Sequence, residues 1–401
     1  MLDFNKEKKN CTGCAACYSA CPIHCITMKT DSEGFLYPEA SDACVHCGLC
    51  ARVCPAFQPK RDLTIEQKAW AVVTKDQVIW QRSASGGAFS EICRHWADDD
   101  TLIVGAAWDG LKVHHVGVNG FKNIEPLCKS KYMSSAIEDT FIQIQEALSL
   151  GRKALFCGCP CQVAGLKMFL HKNYENLLTI DLICHGQGSP SVFEACVEKM
   201  SDDLGERILQ YEFRAKRSRY EEDYLCYIKT SKSEHFIIRD PYMQLFLSQN
   251  ALRPSCGENC KYRDKRRPGD LTIADFKGYD KLFPDLSYPS KNWSTVVCNT
   301  PKGAKCLEKL SLTMERREIE INDVIKYNPL FAKQTWFSKD RDSFFEDFEN
   351  DAESAIEKWT IPLTIYRPAF PKKVLTYLPR SVKYIILNIL NSIRRTNNLT
   401  C

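Results

Sequence analysis

Two four-cysteine runs of identical spacing constrain this chain more than any other feature. Cys11, Cys14, Cys17 and Cys21 stand at C-x2-C-x2-C-x3-C and are followed by Pro22. Cys44, Cys47, Cys50 and Cys54 repeat the spacing and are followed by Pro55. Three thiols two residues apart can wrap one corner of an iron–sulfur cubane. The fourth lies too far along its own short helix and reaches the neighbouring cubane. The spacing therefore assigns Cys11, Cys14, Cys17 and Cys54 to one [4Fe-4S] cluster, and Cys44, Cys47, Cys50 and Cys21 to a second. Zinc knuckles use paired Cys-x-x-Cys and four ligands; they need no third Cys at this interval and no repeated Cys-Pro.

This segment resembles a bacterial two-cluster ferredoxin domain, which implies electron transfer. Cys25 is a ninth cysteine here with no place in the pattern, and is expected to be a small buried apolar residue. The full chain has 401 residues and 22 cysteines, so the two runs leave most of the length to other domains. Hydrophobic residues at 44% and charged residues at 26% fit a globular protein and exclude a disordered, collagenous or disulfide-stapled chain. A net charge of only +4 offers no whole-protein footprint for nucleic acid. Residues 1–10 carry no apolar signal core, and no run reaches 18 apolar residues. We therefore expect a cytoplasmic protein, where reduced thiols favour metal or redox roles over disulfides.

From residue 66 the pattern changes to alternating strands and helices. Residues 101–107 and 113–118 read as strands around the Asp109-Gly110 turn signal. Residues 153–157, 177–183 and 293–299 read as further strands. Helical stripes run through Phe89, Ile92, Cys93 and Trp96, and through Ile137, Phe141, Ile144 and Leu148. Ser135 and Glu138 have capping-box spacing before the second stripe. Residues 161–170 and 302–310 read as helices, and Ser189-Pro190 opens another. The expected fold class is α+β: a small ferredoxin domain over residues 1–60, then a mixed α/β domain over residues 61–350. Residues 351–401 form a basic C-terminal extension, although the acidic stretch 339–358 that leads into it reads as helical.

Four motifs sit at breaks in this pattern. Ser83-Ala84-Ser85-Gly86-Gly87 leads into a helix, whose N-terminal N–H groups can approach an anion or simply be capped. Cys157-Gly158-Cys159-Pro160-Cys161-Gln162 lies between a strand and a helix, where a thiol is easily ionised. Cys184-His185-Gly186 follows a strand, where α/β proteins place ligands. Cys256 and Cys260 lead into a basic run with Lys261, Arg263, Lys265, Arg266 and Arg267, then residues 269–276. Such a run is usually a solvated face; it can also complement a flavin pyrophosphate or an acidic redox partner.

These motifs, with the Lys131-Tyr132 pair, occur in this order behind a ferredoxin segment. The set resembles the coenzyme F-420 hydrogenase/dehydrogenase beta-subunit family over about the first 280 residues. The resemblance implies an iron–sulfur flavoprotein oxidoreductase that exchanges electrons between [4Fe-4S] clusters and a two-electron substrate through FAD. That substrate is a deazaflavin or an unidentified small molecule. It implies a third [4Fe-4S] cluster beside the flavin, for which Cys161, Cys184, Cys256 and Cys260 are the available ligands. Ser85, Gly86, Gly87, Lys131 and Tyr132 become the flavin-contact candidates, and His185 a proton donor or a hydrogen-bond partner. Cys159 stands where the family has a small or hydroxyl residue, and Cys157 lies two residues earlier. Either extra thiol can substitute as a ligand or stand near the flavin. The alternative is an electron-transfer subunit with no substrate site, serving a partner reductase, for example in polysaccharide biosynthesis. The expected partners are a redox protein or ferredoxin and a small-molecule donor or acceptor. Residues 361–401 hold seven Lys/Arg and no Asp/Glu. That tail is expected to pack on the body or to touch an anionic membrane peripherally.

Overall fold

Each cysteine run curls because two of its residues adopt left-handed backbone at matching positions. Gly13 (φ 66°) and Ala15 (φ 57°) do so in the first run, and His46 (φ 54°) and Gly48 (φ 77°) in the second. An L residue such as Ala15 loses roughly 1–2 kcal/mol there, so the turn needs support from what it encloses. Each curl feeds one turn of helix, α1 (Ala16–Ser19) and α2 (Leu49–Arg52). A hairpin of β1 (Ile26–Thr30) and β2 (Leu36–Ala40) joins the two runs, with Ile26 opposite Ala40.

The computed structural model describes residues 8–58, 65–216, 225–257, 260–284, 292–333 and 336–366. After the ferredoxin segment come β3 (Lys68–Thr74), α3 (Gln77–Arg82), α4 (Ala88–Trp96), β4 (Leu102–Asp109) and β5 (Lys112–Asn119). Next are α5 (Thr140–Ser149), β6 (Ala154–Gly158), α6 (Pro160–Leu170), β7 (Leu177–Leu182) and α7 (Pro190–Leu204). An antiparallel meander follows, made of β8 (Ile208–Ala215), β9 (Leu225–Thr230) and β10 (Glu234–Arg239), then α8 (Pro241–Leu247). The later elements are β11 (Leu271–Asp275), α9 (Tyr279–Leu282), β12 (Ser294–Cys298), α10 (Pro301–Leu310), β13 (Met314–Ile319) and α11 (Ile321–Tyr327). The acidic stretch forms two helices, α12 (Arg341–Asn350) and α13 (Ala352–Trp359). They part at Asp351, whose carboxylate accepts from Ser354 N at 3.1 Å and starts the second one.

One eight-stranded mixed sheet organises the α/β part, in the order β13-β3-β12-β11-β7-β6-β4-β5. Its centre, β11-β7-β6-β4, is parallel, and the flanking pairs are antiparallel. β7 is buried through its first five residues, the run expected of a strand covered on both faces. The parallel strands deliver their carboxyl ends to one edge, so the loops after β6 and β7 meet there. Gly158 pairs with Asp181, which brings Cys159 and Cys184 together just beyond the sheet.

One expected cap is absent. α5 begins at Thr140, not after Ser135. The Ser135 hydroxyl is instead 2.7 Å from His115 Nδ1, and Glu138, at φ 47°, reaches His114 Nδ1 at 2.7 Å. Both side chains are drawn to the adjacent β5, and tertiary contacts override the local signal. By contacts the chain up to Thr364 is one unit, and the residues from Ile365 onward are a second. The basic tail, residues 367–401, lies outside the described residues. Among the described residues no helix is long and apolar enough to cross a membrane.

Candidate metal centres

Two cavities are walled by thiols. The first, about 520 Å³ with its open mouth, is lined by Cys11, Cys14, Cys17 and Cys54. The second, about 420 Å³, is lined by Cys161, Cys184, Cys256 and Cys260. Cys21, Cys44 and Cys50 pack around one small core with Cys17, Cys25 and Ile26, and Cys47 is exposed beside them in sequence. The twelve ligand candidates therefore fall into an outer ring open to solvent, an inner ring and a third ring. Among the described residues no three His, Cys, Asp or Glu side chains converge on one point as a single ion requires. The thiols line spaces instead, which suits a multi-atom cluster. Burial pushes the Cys14 and Cys256 thiols up to about 12. Ligation needs the thiolate, so a bound cation must supply the stabilisation these positions lack.

The inner and third rings share a wall. Thr12 lines both cavities. Gln187 Nε2 donates to Thr12 O and to Cys161 Sγ, each at 3.2 Å, and Gln187 N donates to Cys256 Sγ at 3.3 Å. α1 packs on α6 at Gly165, where an added Cβ would lie 2.9 Å from Cys14 Cβ and Sγ. Gly165→Ala is accordingly expected to displace Cys14 and lower iron at the inner ring; iron analysis with EPR of the reduced protein checks it. Lys261 Nζ donates to the carbonyls of Pro55, Ala56 and Gln58 and pins the end of the ferredoxin segment.

The two extra thiols separate. Cys157 lies on β6 and packs with the core that contains Cys93 and Cys128, away from the third cavity. Cys159 is the N-cap of α6, in a capping box with Gln162, whose side chain accepts from Cys159 N at 2.8 Å. Cys184 Sγ is 3.7 Å from Cys159 Sγ. The hydrogen bond between the two sulfurs holds Cys184 down to about 7 against its burial. Cys25 is buried as expected, but it also approaches a ligand candidate. Its N–H donates to Cys21 Sγ at 3.3 Å, and its own sulfur is 3.4 Å from that atom.

The basic run is a solvated face only in part: Lys265 and Arg266 are exposed, whereas Arg263 and Arg267 are buried. Arg267 and Asp181 form a buried ion pair at 2.7 Å, with side chains 1% and 0% exposed. Asp181 also accepts from Gly269 N and the Thr272 hydroxyl, each at 2.8 Å. Arg263 is buried against the third cavity, while Arg266 pairs with its neighbour Asp264. Burial of Arg263 and Arg267 leaves neither free to meet a partner protein.

The flavin-contact candidates lie in two places. Ser85 and Gly86 are tied to β12: Ser85 Oγ donates to Trp293 O at 2.5 Å, and Gly86 N donates to Ser294 Oγ at 2.9 Å. Gly87 is the N-cap of α4 and supplies no side-chain cap, so the first N–H groups of that helix lack one. Lys131 Nζ donates to Cys128 O at 2.6 Å, and Cys128 Sγ lies 3.6 Å from Ser90 Oγ in the first turn of α4. Burial lowers the Lys131 ammonium to about 8. Tyr132 packs its ring on Phe246, as does His185, at 5.2 and 5.0 Å between centroids. His185 Nε2 is 3.1 Å from Phe246 O, and burial lowers the ring's pKa.

Three residues unread in the sequence join these groups. Gln187 connects the rings. Arg214, at the end of β8, donates to both oxygens of Asp275 at 2.7 and 2.9 Å and to the Tyr132 hydroxyl at 3.4 Å. Lys216 donates to Ser85 O and Trp80 O. The sequence signal for Arg214 and Lys216 is a pair of cations two apart at a strand end, and for Gln187 its place just after Cys184-His185-Gly186.

Residues 151–326 match the family model for the C terminus of the Coenzyme F420 hydrogenase/dehydrogenase beta subunit, and residues 10–57 match the 4Fe-4S dicluster domain. The chain is 24% identical over 188 residues to an F(420)H(2) dehydrogenase subunit of Methanosarcina mazei, covering 43% of this chain and 53% of that protein. It is 33% identical over 49 residues to an uncharacterized ferredoxin of Methanocaldococcus jannaschii, covering 12% of this chain and 64% of that protein. The chain thus spans between half and two thirds of these relatives. A solved structure of the F420-reducing [NiFe] hydrogenase complex from Methanosarcina barkeri aligns with TM-score 0.43 and 14% identity, over 75% of this chain and 92% of that one.

Proposed function

The chain belongs to the coenzyme F420 hydrogenase/dehydrogenase beta-subunit family and carries an N-terminal 4Fe-4S dicluster domain, and on that premise we propose that it is an iron–sulfur flavoprotein oxidoreductase. Its twelve ring cysteines would hold three [4Fe-4S] clusters, and its two-electron substrate would be a deazaflavin or a small molecule of similar redox chemistry. The observation that carries this reading is the wall shared by the inner and third rings, with Gln187 bonded across it.

In that reading the exposed outer ring faces a redox partner protein, and the buried rings lead inward. Gln187 fixes Cys161 and Cys256 by donating to both sulfurs. The lining of the inner cavity, which includes Ala15, Ala16 and Met28, is small and largely apolar. The uncapped N-terminus of α4 and the half-buried Lys131 cation fit the negative phosphates of FAD. FAD supplies hydride exchange on one side and single-electron exchange on the other. Tyr132, held by Arg214 and packed on Phe246, would orient the ring or its phosphate. His185, neutral and donating from Nε2 to Phe246 O, keeps Nδ1 as the atom that can take up or return a proton.

Anaerobically purified chain tests the proposal. Stoichiometric flavin and turnover of a deazaflavin with a reduced dye are expected, and preparations without flavin would sink it. The second reading, an electron-transfer subunit with no substrate site, draws on the relative described as a dehydrogenase subunit. Clusters and flavin without turnover by the isolated chain would favour it.

A further inference from the structure

Among the described residues five arginines are buried. Arg214, Arg267 and Arg341 each face a carboxylate, those of Asp275, Asp181 and Glu33. Arg253 and Arg263, 0% and 7% exposed, have no carboxylate within ion-pair distance among the described residues. A buried charge is costly unless something of opposite sign lies near it. Both exceptions lie at thiol rings.

Arg253 sits against the inner ring. Its Nε donates to Cys11 O and its Nη2 to Leu36 O, each at 2.8 Å, and Nη2 lies 3.8 Å from Cys11 Sγ. The guanidinium lies 4.1 Å over the Tyr37 ring, and Nη1 is buried with no partner. The ring leaves room for it: a Cβ on Gly13, already at φ +66°, would lie 2.9 Å from that Nη1. Arg263 lines the third cavity, and its Nη2 donates to His185 O at 2.7 Å. Its Nε and Nη1 are buried with no partner. Each arginine is thus fixed by backbone carbonyls and keeps its full charge for the adjoining ring.

We infer that Arg253 and Arg263 are the counter-charges of the inner and third rings and set the reduction potentials at those two sites. The inference rests on the reading of both rings as [4Fe-4S] sites. Each one-electron reduction adds a unit of negative charge at a ring; no bond forms or breaks. No proton is needed from the arginines. The electron comes from a reduced one-electron carrier protein at the outer ring and leaves to the two-electron acceptor. Burial alone disfavours the added charge, and net charge and exposure set such potentials. The outer ring is exposed to solvent at Cys47. The two inner rings have an arginine each, which keeps them reducible at the potential of the outer one.

EPR-monitored potentiometry on the anaerobic full chain tests this, with Arg253→Gln, Arg263→Gln and the matching Lys variants. Arg253→Gln is expected to make the inner-ring potential more negative, with a smaller shift at the third ring, where its charge also acts on Cys256, and Arg263→Gln only that of the third ring. The shift at each arginine's own ring should reach at least tenfold in the one-electron equilibrium, about 59 mV. The Lys variants should shift less, and the outer ring serves as internal reference. Gln variants that keep full iron at wild-type potentials overturn the inference, as do Lys variants that shift as far as Gln. If Arg253→Gln fails to hold iron, Arg263→Gln decides alone, and an unmoved third-ring potential overturns the inference. About eight irons in the wild type would remove the third ring itself, whereas about twelve with unmoved potentials would remove only the role of the arginines.

Discussion

Replacing Cys256 and Cys260 together with alanine is expected to remove about four of about twelve irons per chain and to leave the two ferredoxin-type signals in place. The third ring draws its thiols from three separate segments, the first turn of α6, the loop after β7 and the stretch before β11. Without the third segment, Cys161, Cys184 and the neighbouring Cys159 remain on one side of the cavity, and nothing in the described lining offers sulfur from the other. The other eight ligand candidates all lie within residues 11–54, so they are not touched. Cys159→Ser is the control. A serine can keep the capping role of Cys159 at α6, so iron should stay near the wild-type level. Full iron in the double alanine variant would contradict the assignment, and a loss of four irons in Cys159→Ser would move the ligand from its neighbour to Cys159.

Asp181→Ala should be the most damaging single substitution away from the cysteines. The carboxylate is fully buried in β7 and accepts from Arg267, Gly269 N and Thr272. Its removal leaves the Arg267 guanidinium buried and uncompensated, which costs about 3–5 kcal/mol. It also removes one of the ties between the central strand and the segment that carries Cys256, Cys260 and Arg263. A lower denaturation midpoint and a loss of third-ring iron are expected together. Replacing both partners, as Asp181→Leu with Arg267→Met, should recover much of the stability, because an apolar pair removes the buried charge altogether. A loss below about 1 kcal/mol in Asp181→Ala, or no recovery in the double variant, would show that the pair does not anchor this loop.

The strand–helix alternation was legible because its elements carry their own signals. Ser189 caps α7 through Val192 N, as its position before Pro190 suggests, and Asp109-Gly110 does turn β4 into β5. The Ser135–Glu138 cap failed for the opposite reason: two histidines on β5, remote in sequence, compete for those side chains. The same limit applies at the third ring. Periodicity puts Cys157 and Cys159 two residues apart, but only the register of β6 against β7 separates their surroundings. The basic run after Cys260 looks solvated in one dimension. It is split by Asp181 and the third cavity, both set by a parallel strand about eighty residues earlier. Arg253 was visible only as the residue before a Pro-Ser-Cys. Its contact with Cys11 joins residues 242 apart in sequence, which no local pattern encodes.

Quantitative iron and flavin analysis of the anaerobically purified wild-type chain, read with its reduced EPR spectrum, tests the central claim most directly. Three thiol rings and a flavin site predict about twelve irons and one FAD per chain, with three distinguishable reduced clusters. About eight irons and no flavin would contradict it, and would leave a two-cluster ferredoxin joined to a domain that holds neither a third cluster nor FAD.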